Sequence, residues 1–423
     1  MIVTRIDRFV LRACSLLLAV GLVATAGWAG ASWPMFQSNA QHTGRSAAVG
    51  PLLANVQWQF QFLGTPGSPA VGVDDVVFLP TGMVGIDAQS FLYAINPDGT
   101  QKWRVQLVGP PASTAPAVAA DGTIYVHTNG AGAPMAVEAL QAFDPADGSS
   151  KWSVTFGGGA PVSTSFVQSA PIVGPDGTIY VGSQDGKLYA LRPADGGTKW
   201  SRATFNTISS SPALSPDGAT VYLHDHTGLF AFKALDGTDR WTFPINVNGG
   251  TGSPSVGADG TIYFAHVSNA TLYAINPDGT IKWAQILGSA PVSTPALGPD
   301  GTIYAGANGL YALAANGTSK WRFSEALFSS ASPVVGNDGT VYWRESSHLY
   351  AVHPDGTLSW QRTIPFPSLP GLDPTPAIGS DGTLYVPVVD PLDPLGQRLL
   401  AIRTCPAECG DGNPCTADAC DPL

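Results

Sequence analysis

Residues 188–200, LYALRPADGGTKW, decide the fold. An alternating apolar run reads as a strand, Asp195-Gly196 supplies the positive-φ position of a tight reversal, and a second strand opens on Lys199-Trp200. The unit returns as LYAINPDGTQKW (92–103), LQAFDPADGSSKW (140–152), LFAFKALDGTDRW (229–241), LYAINPDGTIKW (272–283), LYALAANGTSKW (310–321) and LYAVHPDGTLSW (349–360), seven complete copies in all. A second motif precedes each copy: SPAVGVDDVVF (68–78), APAVAADGTIY (115–125), APIVGPDGTIY (170–180), SPALSPDGATVY (211–222), SPSVGADGTIY (253–263), TPALGPDGTIY (294–304) and SPVVGNDGTVY (332–342), with an eighth, TPAIGSDGTLY, at 375–385. Each joins a small residue and Pro to a short apolar strand, a turn usually of the Asp-Gly type, and a β-branched or aromatic strand. The repeat therefore holds four antiparallel strands at a period of roughly 40 to 50 residues.

The count predicts closure. Eight Pro-led hairpins and eight Ala-centred third strands are present, the last around Ala401, yet no Trp strand follows that one. The missing strand sits at the other end of the chain, VQWQF at 56–60, with no partner of its own. Lending it to the last unit leaves neither end of the array as a bare sheet edge. The expected fold is all-β: an eight-bladed β-propeller of four-stranded antiparallel blades over residues 55–404, its last blade closed by the N-terminal strand that carries Trp58.

Trp58, Trp103, Trp152, Trp200, Trp241, Trp283, Trp321 and Trp360 are eight of the chain's eleven Trp, one per blade. A large ring at one fixed place can fill the wedge between neighbouring sheets, and full burial of each is worth about 3 kcal/mol. The Ala at 94, 142, 190, 231, 274, 312, 351 and 401 leaves room for it. Sugar stacking is the competing use of these rings.

The two ends differ from the array. Residues 1–31 read as a signal peptide: Arg5, Arg8 and Arg12, an apolar run at 15–26, and the small residues Ala29-Gly30-Ala31 before Ser32. The run is too short for a comfortable membrane span, and Cys14 precedes it, where a lipid-anchored Cys would follow. Export fits the cysteines, since the other four, Cys405, Cys409, Cys415 and Cys420, are confined to residues 405–423. The expected location is secreted, periplasmic or cell-surface. Residues 32–54 form a polar strap, expected to pack across one face of the array. Net charge is -11, and removing three Arg and one Asp with residues 1–31 takes it to -13. That charge, without a basic stripe, excludes nucleic acid as a partner.

The residues at this point resemble a known family. Ala142-x-Asp144-x-x-Asp147-Gly148-x-x-x-Trp152 is similar to the tryptophan-docking motif of quinoprotein, or PQQ-like, β-propeller repeats, over residues 33–404. Copies from Ala190 and Ala231 keep its spacing, and those from Ala94, Ala274, Ala312 and Ala351 are one residue shorter. The resemblance implies a fold shared by PQQ-dependent alcohol dehydrogenases, an outer-membrane assembly scaffold and exported proteins without an assigned role. The dehydrogenases hold PQQ beside a disulfide of adjacent Cys, with Ca²⁺ on acidic and amide groups and a catalytic Asp. Here no Cys stands between Met35 and Thr404, the only Glu there are Glu138, Glu325 and Glu345, and nearly every Asp belongs to a turn. No cofactor and no catalytic residue is expected; a dehydrogenase-like enzyme using PQQ with Ca²⁺ is one alternative that the resemblance implies, and an outer-membrane protein assembly scaffold, which normally needs a lipid anchor, is the other. The tail resembles a short Cys-rich repeat of slime-mould and bacterial surface proteins, CDDGNPCT-x-D-x-CD. Its four Cys allow three pairings and staple a segment too small for a core. Calcium on Asp411, Asn413 and Asp418 is the competing reading.

No nucleophile elbow, phosphate loop or zinc helix is present. His224 and His226 are the one clustered His pair, a metal candidate that lacks a third ligand. Both short turns of every blade fall on one face. The opposite face carries the variable loops, among them the inserts at 80–90, 127–137 and 387–397 and the crossings at 157–167, 246–251 and 365–373. Variable loops on a rigid scaffold are a recognition surface. The expected function is a monomeric, exported, non-catalytic propeller that binds or scaffolds a protein, peptide or glycan there; unselected drift of these loops is the competing reading.

Overall fold

The computed structural model describes residues 32–84, 89–109, 115–128, 138–157, 169–208, 210–245, 252–266, 269–288, 293–323, 331–345, 347–364, 374–389 and 397–404. These form eight antiparallel sheets, an eight-bladed propeller, and among them no helix is long and apolar enough to cross a membrane. Blade 3 shows the plan: Ile172–Val173, Ile179–Gly182, Lys187–Leu191 and Thr198–Ala203 pair in that order from the axis outward. Blade 1 adds a two-residue strand, Thr65–Pro66, beside Val77–Val84. In blade 8 the outermost position belongs to Val56–Gln61, antiparallel to Arg398–Ile402, with Trp58 opposite Ala401 and Phe60 opposite Leu399. The N-terminal strand thus closes the ring, as the repeat count requires.

Local chemistry fixes each blade. In the first turn of blade 3 the Asp176 carboxylate accepts the Thr178 amide at 3.0 Å and its hydroxyl at 2.7 Å, while Gly177 takes φ +79°. The same Asp-Gly-Thr turn recurs at Asp121, Asp259, Asp300 and Asp338. The Lys-Trp pair has a reason too. Ala190 lies opposite Trp200 but Leu191 opposite Thr198, so Lys199 is the extra residue of a β-bulge. A bulge re-aims its side chain, and Lys199 Nζ reaches Asp176 at 3.2 Å and Thr178 Oγ1 at 2.6 Å. Lys282 with Asp259 and Lys320 with Asp300 repeat this at 3.2 and 3.0 Å. These exposed pairs are each worth less than about 1 kcal/mol, so they orient turns more than they stabilise. Burial falls outward along the radius: the two-residue inner strands are wholly buried, and the outermost ones present mostly exposed positions.

Candidate functional site

Seven of the eight outermost Trp dock on the next blade. Trp103 Nε1 donates to the Pro145 carbonyl at 3.0 Å and Trp152 to Pro193 at 2.9 Å; Trp58, Trp200, Trp241, Trp283 and Trp321 reach Pro97, Ala234, Pro277, Ala315 and Pro354 at 2.7–3.0 Å. The turn that receives the ring has Gly at positive φ, and a Cβ there would stand 2.6–2.8 Å from ring atoms at Gly99, Gly148, Gly196, Gly237, Gly279, Gly317 and Gly356. Behind the ring, an aromatic from the second strand lies 5.5–5.9 Å away between centroids in every blade, as with Tyr125 and Trp152. The small Ala pairs with both partners, Tyr125 and Trp152 alike opposing Ala142. Only Trp103 and Trp360 are buried, at 8% and 9% exposure, and the other six are half-buried. The sequence-based value for full burial therefore applies to two of the eight.

Trp360 shows how the ring ends. Blade 8 has no turn of its own to receive it, and its Nε1 donates instead to Pro51 of the strap, at 2.9 Å. The strap is more than a cover on one face. It makes one lap of the axis in blade order, its carbonyls at Trp33, Pro34, Ala40, Gln41, Thr43 and Gly44 accepting the inner-strand amides of Val71, Val118, Leu214, Val256, Leu297 and Val335 at 2.7–2.8 Å. Trp33, Met35, Gln37 and His42 are buried. His42 Nδ1 lies 3.0 Å from the Pro254 carbonyl, yet burial outweighs that bond and lowers its pKa to about 4. The strap rims a hollow of about 740 Å³ on the face of short turns, lined also by Pro175, Pro216, Pro299 and Asn337. Ligand pockets span roughly 300–1,000 Å³. Its lining has one charged side chain, Arg45, whose Nη1 donates to the Gly298 carbonyl at 3.3 Å.

A second set of contacts explains the hydroxyl-bearing residue before Pro in four of the blades. The Ala170 amide donates to the Ser211 hydroxyl, Ser211 to Ser253, Ser253 to Thr294 and Thr375 to Ser68, all at 2.9–3.0 Å, so hydroxyls latch blade to blade.

Of the inserts expected on the opposite face, 80–90 falls mostly within the paired strands Val77–Val84 and Gln89–Ile95, an extended hairpin and not a free loop. Those at 127–137 and 387–397 lie largely outside the described residues, as do most of the long crossings. What flanks them is described. His127, at the edge of the first insert, places Nε2 3.0 Å from Glu138 Oε1 and Nδ1 2.8 Å from the Ser169 carbonyl. Glu138 also accepts the Ser183 hydroxyl at 2.8 Å and the Gln184 amide at 3.1 Å. All three side chains are buried, and the cluster ties blade 2 to blade 3. The buried Ser183 hydroxyl donates to Glu138 and accepts the Asp185 amide, so it braces the cluster.

His224 is wholly buried and His226 partly so. The ring facing His224 comes from the next blade: His266, 5.9 Å away between centroids. Burial first, then the neighbouring His266 and His226, lower the His224 pKa to about 3. Between them, Asp225 accepts the Thr227 and Gly228 amides and is held as a turn acceptor. Among the described residues no three His, Cys, Asp or Glu stand as a metal set. Cys405, Cys409, Cys415 and Cys420 lie outside the described residues.

Among the described residues no donor set fits PQQ with Ca²⁺. Glu138 is committed as above, the turn Asp residues face their own Thr, and the array contains no Cys. No step through that cofactor is derived.

Residues 44–228 and 225–386 match the family described as outer membrane protein assembly factor BamB. The chain belongs to that family. No curated protein sequence matches it. Among solved structures, BamB from Moraxella catarrhalis aligns at a TM-score of 0.60 with 15% identity, covering 82% of this chain and 97% of that one. A europium-containing methanol dehydrogenase aligns at 0.68 with 14% identity over 90% and 99% of the two chains. The quinohemoprotein alcohol dehydrogenase from Comamonas testosteroni also aligns at 0.68, with 13% identity over 90% and 81%. At these identities the likeness is one of fold.

Proposed function

We propose that the chain is an exported, non-catalytic propeller that presents its variable-loop face to a protein partner. The observation that carries this is the asymmetry of the two faces. One face is built from repeated tight turns locked by Asp, Gly and Thr, with the axis capped by the strap. On the other, the residues that flank the 127–137 insert in sequence, His127 and Glu138, are rigidly anchored. Rigid mounting of variable loops is what recognition needs. The family's description as an assembly factor supports a protein over a glycan. The Cys-rich segment at 405–423 is read as a disulfide-stapled appendage to this scaffold.

The test is cross-linking mass spectrometry on the exported chain in its native envelope or medium. Cross-links to a reproducible protein partner should map to the variable face, and alanine blocks across 127–137 and 387–397 should abolish them. Cross-links that map to the short-turn face, or survive both blocks, would overturn the reading. The dehydrogenase alternative is tested separately: after addition of PQQ and Ca²⁺, the purified chain should retain no quinone and reduce no dye.

A further inference from the structure

The seam where blade 8 meets blade 1 departs from every other seam in one respect. The first turn of the other seven blades puts Gly at positive φ, at residues 122, 177, 218, 260, 301, 339 and 382. Blade 1 instead places two acids there, Asp74 at φ +57° and Asp75 at +54°. Left-handed backbone is strained for a side-chain-bearing residue, and two in succession call for a reason. The reason lies in what Asp75 reaches. Its carboxylate accepts the Ser380 amide at 2.7 Å and the Ser380 hydroxyl at 2.5 Å across the seam in blade 8. It also accepts the hydroxyl of Ser32 at 2.9 Å, the residue that begins the strap. The next residue, Trp33, exchanges both backbone hydrogen bonds with Val71. Ser32 is thereby fixed against Asp75.

The charge at this point is unbalanced. Asp75 and Asp381 meet there, their Oδ1 atoms each 3.2 Å from the same point above Gly379. Arg403 pairs with Asp381 at 2.9 Å, and among the described residues no cation pairs with Asp75. Both carboxylates push the Tyr385 hydroxyl, already raised by burial, further up. The position wants one more positive charge beside Ser32. The sequence supplies one, because the small-residue signal Ala29-Gly30-Ala31 ends immediately before Ser32.

We propose that the chain is cut between Ala31 and Ser32, and that the ammonium group freed on Ser32 pairs with Asp75 to lock the blade 8–blade 1 seam. A signal-type endopeptidase adds water across the Ala31–Ser32 amide; the C–N bond breaks, the departing segment keeps a carboxylate, and Ser32 gains the ammonium. That nitrogen is three covalent bonds from the hydroxyl that already touches Asp75 Oδ1. Processing would then do more than release a leader: it would place a cation at the one seam the chain closes with its own N-terminal end. The cleavage half rests on the export reading above; the latch half does not.

Two measurements separate the halves. Intact mass and N-terminal sequencing of the exported chain should give Ser32 as the first residue, and any other first residue refutes the cut. Independently, the chain beginning at Ser32 is prepared with a free and with an acetylated amine, which changes no side chain. At pH 7 the free form should melt about 1–3 °C above the acetylated one. The ammonium is stabilised by folding, so its benefit is present at neutral pH and lost as pH rises through its folded pKa; the gap should close by about pH 10. It should also vanish in Asp75→Asn. Equal melting of the free and acetylated forms at pH 7 refutes the latch whatever the cut site proves to be.

Discussion

Two glycine-to-alanine changes separate the cost of a strained backbone from the cost of an undocked tryptophan. Gly279 and Gly301 both sit in tight turns at positive φ, +88° and +78°. A Cβ at Gly301 meets nothing within 4 Å, whereas one at Gly279 would stand 2.7 Å from Trp241 Cδ2. Gly301→Ala should therefore cost only the left-handed backbone, about 1–2 kcal/mol. Gly279→Ala carries the same backbone cost and must also displace the indole. That forfeits the 2.9 Å bond to the Pro277 carbonyl and the contact with Tyr222, with centroids 5.8 Å apart. The bond is worth about 1 kcal/mol and overpacking costs about 1–3 kcal/mol, so Gly279→Ala should lose about 3–6 kcal/mol in total. Equilibrium denaturant unfolding reads both. A cycle with Trp241→Leu adds a second check, because the alanine should cost less once the indole is gone. Equal losses for the two glycines, or no coupling to Trp241, would refute the claim that the indole and the turn interlock.

Further outcomes follow from the same contacts. Glu138→Ala leaves His127 and Ser183 buried without their acceptor and should cost about 3 kcal/mol, read by thermal or denaturant unfolding. Ser253→Ala removes an inter-blade latch and should cost about 1 kcal/mol, whereas Ala115→Ser, in a blade without the hydroxyl, tests whether a latch can be added. Acid should weaken the fold in two stages. His42 and His224 are held near 4 and 3 by burial, so the unfolded chain takes up protons first as pH drops below about 6.5, and stability begins to fall there. Partial burial would raise Asp300, but the Thr302 hydroxyl and amide and Lys320 overcome it and hold the pKa at about 2. A carboxylate with a lowered folded pKa contributes stability above about pH 4 that is lost as pH falls through 2, so a second decline belongs to the turn Asp residues. A melting temperature that stays level from pH 7 to pH 4 would contradict the first stage.

The blade plan was legible because it repeats. A Trp, an Ala and an Asp-Gly turn at fixed spacing recur often enough that the missing eighth Trp strand pointed to Trp58, and that strand lies where the count put it. What sequence missed was non-local or made of backbone. The strap binds six inner strands through its carbonyls, which any residue supplies, so no side-chain pattern marks it. His266 stands forty-two residues from His224, and only the packing of one blade's second strand against the next brings the two rings together. The signal was there: both His lie near the end of the second strand of their blade, beyond the aromatic that backs the tryptophan. Asp74-Asp75 in place of Asp-Gly was visible as an exception, but its purpose depends on Ser380, some three hundred residues away in blade 8. The hydroxyl latches sit in the residue before Pro at Ser68, Ser211, Ser253 and Thr294, where small size alone does not reveal the bond to the neighbouring blade.

Closure by the N-terminal strand is tested most directly by a disulfide across it. Gln61 and Arg398 are opposed in the last blade, so Gln61→Cys with Arg398→Cys should oxidise to one bond within a single chain, joining the peptides that hold the two positions in a proteolytic mass map. Failure of that bond to form, or its formation only between two chains, would contradict a ring that fastens on its own first strand.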